Sequence, residues 1–138
     1  MSIVNGLIRK EENGSISFGN YKLEAKSKVE DFEYEGDIYK VKTFSGITKL
    51  ERNGSFVYES VPGTVVENFK FSGQELNFEV QGYEDTQVTL ELEPANKYKV
   101  FINDINIGKI KTNLGGKIVF NVEFTDESKS HIRVKKQK

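Results

Sequence analysis

The sequence predicts an all-β protein: a small N-terminal antiparallel hairpin lobe followed by an immunoglobulin-like β-sandwich. Three observations carry that reading. Apolar and polar residues alternate with a period of two through most of the chain, the pattern of strands with one buried face. Turn signals built on Gly, Asn, Asp, Ser and Pro separate the alternating runs. No segment has the length and 3.6-residue repeat of a helix. The clearest stretch is residues 98–124. Tyr98, Val100 and Ile102 alternate with Lys99, Phe101 and Asn103, a turn follows at Asp104, and residues 107–111 make the next strand. Asn113, Leu114, Gly115 and Gly116 turn again. Ile118, Phe120, Val122 and Phe124 then alternate with Lys117, Val119, Asn121 and Glu123.

Taken in order, residues 1–10 read as a short amphipathic turn or a strand, with apolar Ile3, Val4, Leu7 and Ile8 spaced slightly in favour of a helical turn. Asn13-Gly14 signals a turn, residues 15–18 a strand, and residues 21–25 its hairpin partner. Residues 26–37 are charged and carry no clear period. Residues 38–44, 47–51 and 55–61 read as three strands joined at Ser45-Gly46 and Asn53-Gly54. Pro62-Gly63 breaks the pattern and places a boundary between a hairpin lobe, residues 1–62, and a sandwich, residues 63–138. Beyond it the strands recur at regular spacing: residues 65–71, 76–80, 88–92, the three of the stretch above, and a last one around Ile132 and Val134, with 125–129 a polar loop. That is the strand count of an immunoglobulin-like sandwich. With no Cys and no Trp, the chain lacks the residues that mark a true immunoglobulin domain.

The chain has 138 residues, enough for one ordinary domain or two very small lobes. Apolar residues make up 36%, a low share, which ten Phe and six Tyr offset because each aromatic side chain buries a large area. A net charge of −1, from 20 basic and 21 acidic residues, gives no long-range field toward nucleic acid or an anionic membrane. Neither is therefore expected as a partner. The basic C-terminal residues Arg133, Lys135, Lys136 and Lys138 read as the soluble end of a strand. The absence of Cys excludes disulfides, thiolate nucleophiles and Cys-based metal sites. No apolar run near the N-terminus is long enough for a signal peptide or a membrane span, so the expected location is the cytoplasm.

Candidate chemistry is sparse. Asp31, Glu33, Glu35 and Gly36 stand at positions 1, 3, 5 and 6 of a calcium-loop spacing, with Asp37 next, but position 12 is Lys42 where such a loop needs a bidentate Glu. A solvated charged loop is the simpler reading, and no metal ligand is assigned. Nothing selects a carboxylate pair for glycoside hydrolysis, since most Asp and Glu alternate with apolar residues and face solvent. His131 is the sole histidine and reads as a surface residue of the last strand, with no Gly-x-Ser-x-Gly elbow to accompany it. Gly115-Gly116 reads as a hairpin turn, because a phosphate loop needs a following helix. Asn13-Gly14-Ser15 and Asn53-Gly54-Ser55 fit the glycosylation pattern but read as turns. No catalytic residue and no cofactor are expected.

The aromatics of the first half are the most suggestive group: Phe32, Tyr34, Tyr39, Phe44, Phe56 and Tyr58. Tyr and Phe interleaved with carboxylates suit sugar binding, a thin core or a subunit interface. Tyr34, Tyr39 and Tyr58 are the candidate ligand-binding residues. A lobe as small as residues 1–62 buries little on its own, which argues for self-association.

Residues 98–100, 106–108, 111–113 and 115–122 resemble the end of accessory β-sandwich domains in polysaccharide-processing enzymes: a strand, a Gly turn, a Thr-Asn step, a Gly and a closing strand. Residues 14–19, 39–43, 48–54 and 112–117 resemble a group of short clostridial proteins labelled endosialidases. The chain is too short for the propeller catalytic domain of a tailspike endosialidase. That resemblance therefore implies a β-rich stalk or binding region and no catalytic residue.

The expectation from sequence is a non-catalytic, self-associating homo-oligomer with a binding or assembly role. The alternatives are a carbohydrate-binding module with a glycan as partner and, further off, a small glycan hydrolase.

Overall fold

The computed structural model describes residues 6–124 and 129–137. Thirteen strands follow one another among them: β1 (Ile8–Lys10), β2 (Ile16–Phe18), β3 (Ser27–Tyr34), β4 (Asp37–Phe44), β5 (Ile47–Arg52), β6 (Ser55–Val61), β7 (Val65–Ser72), β8 (Glu75–Gln81), β9 (Thr86–Glu91), β10 (Lys97–Ile102), β11 (Ile105–Lys111), β12 (Lys117–Val122) and β13 (Ser130–Lys136). They form two antiparallel sheets, as the all-β sandwich reading requires. One has seven strands in the order β1-β2-β7-β8-β13-β10-β11, the other six in the order β12-β9-β6-β5-β4-β3.

The expected division at residue 62 is corrected by the strand pairing. β2 pairs with β7, and β6 pairs with β9, so hydrogen-bonded ladders of both sheets cross it. Strands β7–β13 do not close a sandwich alone, because β9 and β12 join a sheet whose other four strands come from the first half. One core holds residues from both sides: Phe18, Val41, Leu50 and Tyr58 with Phe69, Phe78, Leu90 and Val134. The physical reason is burial. Three short hairpin strands cannot cover an apolar face by themselves, and facing a second sheet removes that face from water. The first half needs no second subunit for this.

Aromatic side chains join the two layers. Tyr58 of the six-stranded sheet meets Phe18 and Phe78 of the other edge-on, at ring-centre distances of 5.4 and 5.8 Å. Phe69 packs against Phe18 and Phe78 at 5.7 and 5.4 Å. Edge-to-face packing sets the positive ring edge against the negative face of its neighbour.

The hairpin signals work as their chemistry requires. Asn53 and Gly54 both take positive φ, 52° and 81°, the two-residue turn whose twist matches its strands. Glu35-Gly36 and Asn103-Asp104 do the same. Asn13-Gly14 joins β1 to β2. Residues 21–25 are not the partner strand expected of β2. They form an irregular segment that seats Tyr21 against Val65 and, at 4.6 Å and edge-on, against Tyr83. The favoured helical turn of residues 1–10 is a strand from Ile8, while residues 1–5 and most of the 125–129 loop lie outside the described residues.

Two bulges matter for the site. In β3 the register shifts between Val29 and Phe32, with Asp31 at φ 59°. Between β5 and β6 it shifts at Leu50/Glu51: Leu50 faces Tyr58, Glu51 faces Phe56, and Val57 is the extra residue.

Candidate functional site

The β5–β6 bulge sends Tyr58 and Phe56 to different environments. Tyr58 pairs with Leu50 and turns into the core, where it is fully buried. Phe56, one pairing step away, comes out beside a cleft of about 590 Å³ between the two sheets, lined on one side by Arg52, Asn53, Phe56 and Glu91 and on the other by Phe71, Gln74, Tyr98 and Lys136. The volume is within the range of small-ligand sites.

Each wall has a local reason for its place. The Asn53 side chain accepts from Ile38 N–H at 2.9 Å and donates to Asp37 at 2.9 Å, fixing the β5–β6 turn on the start of β4. Lys117 lies 4.6 Å and Lys49 5.9 Å from the Phe56 ring centre, cations over an aromatic face. Phe71, at the end of β7, is partly exposed and meets Phe69 edge-on at 6.2 Å. The Tyr98 ring is buried, and its hydroxyl accepts from Glu93 N–H at 3.2 Å. Lys136 pairs with Glu93, and that hydrogen-bonded carboxylate holds the Lys136 ammonium above its usual range.

A recess of about 150 Å³ adjoins this cleft and shares Arg52, Val57 and Phe71 with it. Tyr34 and Tyr39 line the recess. Burial raises the Tyr39 phenol above its ordinary range, and hydrogen bonding with Arg52 opposes the rise. Burial also raises Tyr34, with the nearby Glu35 carboxylate adding to the effect. Two of the three candidate tyrosines thus stand together beside Arg52.

The third, Tyr58, is corrected: it has no exposed surface, and its hydroxyl is engaged with Thr64 at 2.9 Å. Burial pushes its phenol up to about 12. The sequence missed Phe71, Tyr98 and Lys136 because nothing in strand alternation marks the residues at which two sheets part. The Arg52-Asn53-Gly54 turn ahead of Phe56 was the one local signal available.

The remaining candidates do other things. Glu30 is lowered by hydrogen bonding and charge contact with Lys28, at 3.1 Å, and by Lys40 at 3.7 Å. The acidic run lies on β3 and its turn, and no group of three or more acidic or His residues able to hold a metal occurs among the described residues. His131 faces out from β13, which is last in the chain but lies between β8 and β10 in the sheet. Its backbone N–H donates to the Asn103 side chain at 2.8 Å. Gly115-Gly116 is a turn, as expected, organised by Asn113 Oδ1 accepting from Gly115 and Lys117 N–H at 2.9 and 3.0 Å. It joins strands of different sheets rather than a hairpin. No helix among the described residues is long and apolar enough to cross a membrane.

Partly open aromatic faces beside Arg, Asn, Gln and carboxylate groups can stack on a ring while hydrogen-bonding hydroxyls around it. Compared with protein-family models, curated proteins and solved structures, the chain matches none.

Proposed function

We propose that the protein is a non-catalytic, cytoplasmic binding protein whose ligand is a short carbohydrate seated in the cleft between the sheets. The observation that carries this is the convergence of Phe56, Phe71 and Tyr98 with Arg52, Asn53 and Gln74 around one cleft, continuous with the recess of Tyr34 and Tyr39. Aromatic surface supplies contact area at low entropic cost, and fixed polar groups set orientation. The resemblance of residues 98–122 to accessory domains of polysaccharide-processing enzymes agrees with this reading.

The test is calorimetric titration with a panel of neutral and acidic oligosaccharides. A member of the panel binds, and Phe71→Ala and Arg52→Ala each weaken it by roughly tenfold or more, the loss expected for one buried contact or one charge-assisted hydrogen bond. No binding across the panel ends the proposal.

Self-association is a second reading, favoured by a different observation. The outermost strands β11 and β12 carry exposed Ile105, Ile107 and Val119, and Leu114 in the turn between them is 92% exposed. An open edge with apolar side chains is a template for pairing with another copy. Light scattering across a concentration range decides it: a discrete oligomer supports it, and a monomer at high concentration removes it.

A further inference from the structure

The outer face of the seven-stranded sheet is divided by charge. On β10, Tyr98 and Val100 enter the core, so Lys97, Lys99 and Phe101 face out. On β13, Ile132 and Val134 enter the core, so His131, Arg133 and Lys135 face out. Pairing brings like charges opposite one another: Lys97 faces Lys111, and Lys99 stands between Lys109 and Lys135, whose other ladder neighbour, Glu75, is paired to Arg133. Among the described residues none of these five lysines has an acidic partner within 4.0 Å, while Arg133 has Glu75 at 3.4 Å. Like charges directly opposite across a ladder are destabilising.

Edge protection explains part of this. β11 is an edge strand, and Lys109 and Lys111 discourage pairing with another chain over its second half, beyond the exposed Ile105 and Ile107. It does not explain Lys97, Lys99, Arg133 and Lys135, because β10 and β13 are interior strands. The concentration is also not a property of the whole chain, whose net charge is −1.

From this we infer that the outer face of β13, β10 and β11 binds a linear acidic polysaccharide. Lys135, Lys99 and Lys109 form a row across three adjacent strands, with steps of about 4.8 Å set by strand spacing. Lys97 and Lys111 form a second row two residues along, about 6.7 Å away. Rows of ammonium groups on an open face suit a chain bearing carboxylates or sulfates at regular intervals. Single-stranded nucleic acid is usually held on exposed aromatic platforms, and the one outward aromatic of these two strands, Phe101, is half-buried with the Arg133 guanidinium 4.2 Å from its ring centre. A membrane surface site combines cations with apolar side chains that enter the lipid, whereas the other outward positions of β10 and β13 are charged or polar and the exposed Ile105 and Ile107 are confined to the start of β11.

The probe is heparin, a sulfated linear polysaccharide, with neutral dextran as control. Wild-type protein binds heparin at low salt, the affinity falls steadily as salt rises, and dextran does not bind. K99E/K109E weakens heparin binding tenfold or more, and K99R/K109R retains it. The melting temperature of each variant is measured alongside, and a misfolded K99E/K109E is replaced by K109E/K111E, which lies on the edge strand. Phe71→Ala, a cleft substitution, leaves heparin binding intact, so failure of the cleft reading and failure of this one are distinguishable. The inference is overturned if wild type does not bind heparin at low salt, if charge reversal leaves the affinity unchanged, or if a poly-dT oligonucleotide or phosphatidylserine vesicles bind more tightly than heparin.

Discussion

Tyr58 Oη lies 2.9 Å from Thr64 Oγ1, and neither side chain reaches solvent. Thr64 Oγ1 also meets Ser60 Oγ at 2.8 Å, while Thr48 Oγ1 donates to the Thr64 carbonyl at 2.7 Å and meets Thr43 Oγ1 at 2.8 Å. Five hydroxyls thus form one buried network between the strands of one sheet and the loop that carries the chain to the other. Satisfied networks of this kind hold a core in a single arrangement.

Tyr58 is therefore a folding residue. Tyr58→Phe removes one buried hydrogen bond and leaves Ser60 to satisfy Thr64, so it costs about 1 kcal/mol. Tyr58→Ala leaves a cavity where three aromatic rings converge and costs about 3–5 kcal/mol. Urea denaturation of the two variants measures both losses. A role in ligand contact would instead show as normal stability with lost binding.

The same phenol gives the protein an alkaline limit. Its folded value of about 12 stands above the ordinary phenol value of 10.0, because burial disfavours the phenolate. The unfolded chain therefore releases this proton first. The contribution is fully present below about pH 10 and is lost as pH rises through 12, roughly 2–3 kcal/mol in all. Wild type loses stability over that window, and Tyr58→Phe shows a correspondingly flatter decline in the same titration.

The misplacement of Tyr58 shows what the sequence could not say. Phe56 and Tyr58 are two apart and by alternation share a face. The extra residue at Val57 shifts the pairing by one, turning Phe56 out and Tyr58 in. The bulge at Asp31 likewise breaks the alternation of Val29, Phe32 and Tyr34, which is why β3 reads as structureless charge. In the run of β10, β11 and β12 turn chemistry marks the strand ends and the strands were legible despite one register shift between Val100 and Phe101, whereas residues 21–25 form no strand. Sheet order was not: β13 inserts between β8 and β10, a choice made by tertiary packing that leaves no trace in local pattern.

Gly63 is required by close approach. A Cβ there would stand 2.0 Å from the Phe44 carbonyl oxygen, while its N–H donates to the Ser45 carbonyl at 2.9 Å. Gly63→Ala must move backbone on one side or the other. It should cost about 1–3 kcal/mol, the usual range for overpacking, as read by thermal melting.

Asn53 couples the fold to the cleft. It holds positive φ in the turn and makes two side-chain hydrogen bonds to the start of β4. Asn53→Ala loses both and strains the turn, costing about 1–2 kcal/mol. Asn53→Gly keeps the turn and loses only the bonds, so it is the milder change. Ligand affinity should fall in both, because the turn is one wall of the cleft.

The most direct test of the binding reading is mapping of backbone amide chemical shifts during titration with the oligosaccharides of the panel. The account predicts shifts concentrated at residues 52–57, 73–74 and 91–93, the walls of the cleft, with Tyr34 and Tyr39 following if the ligand extends into the recess. Absence of shifts with every oligosaccharide, or shifts confined to surfaces away from those walls, would contradict it.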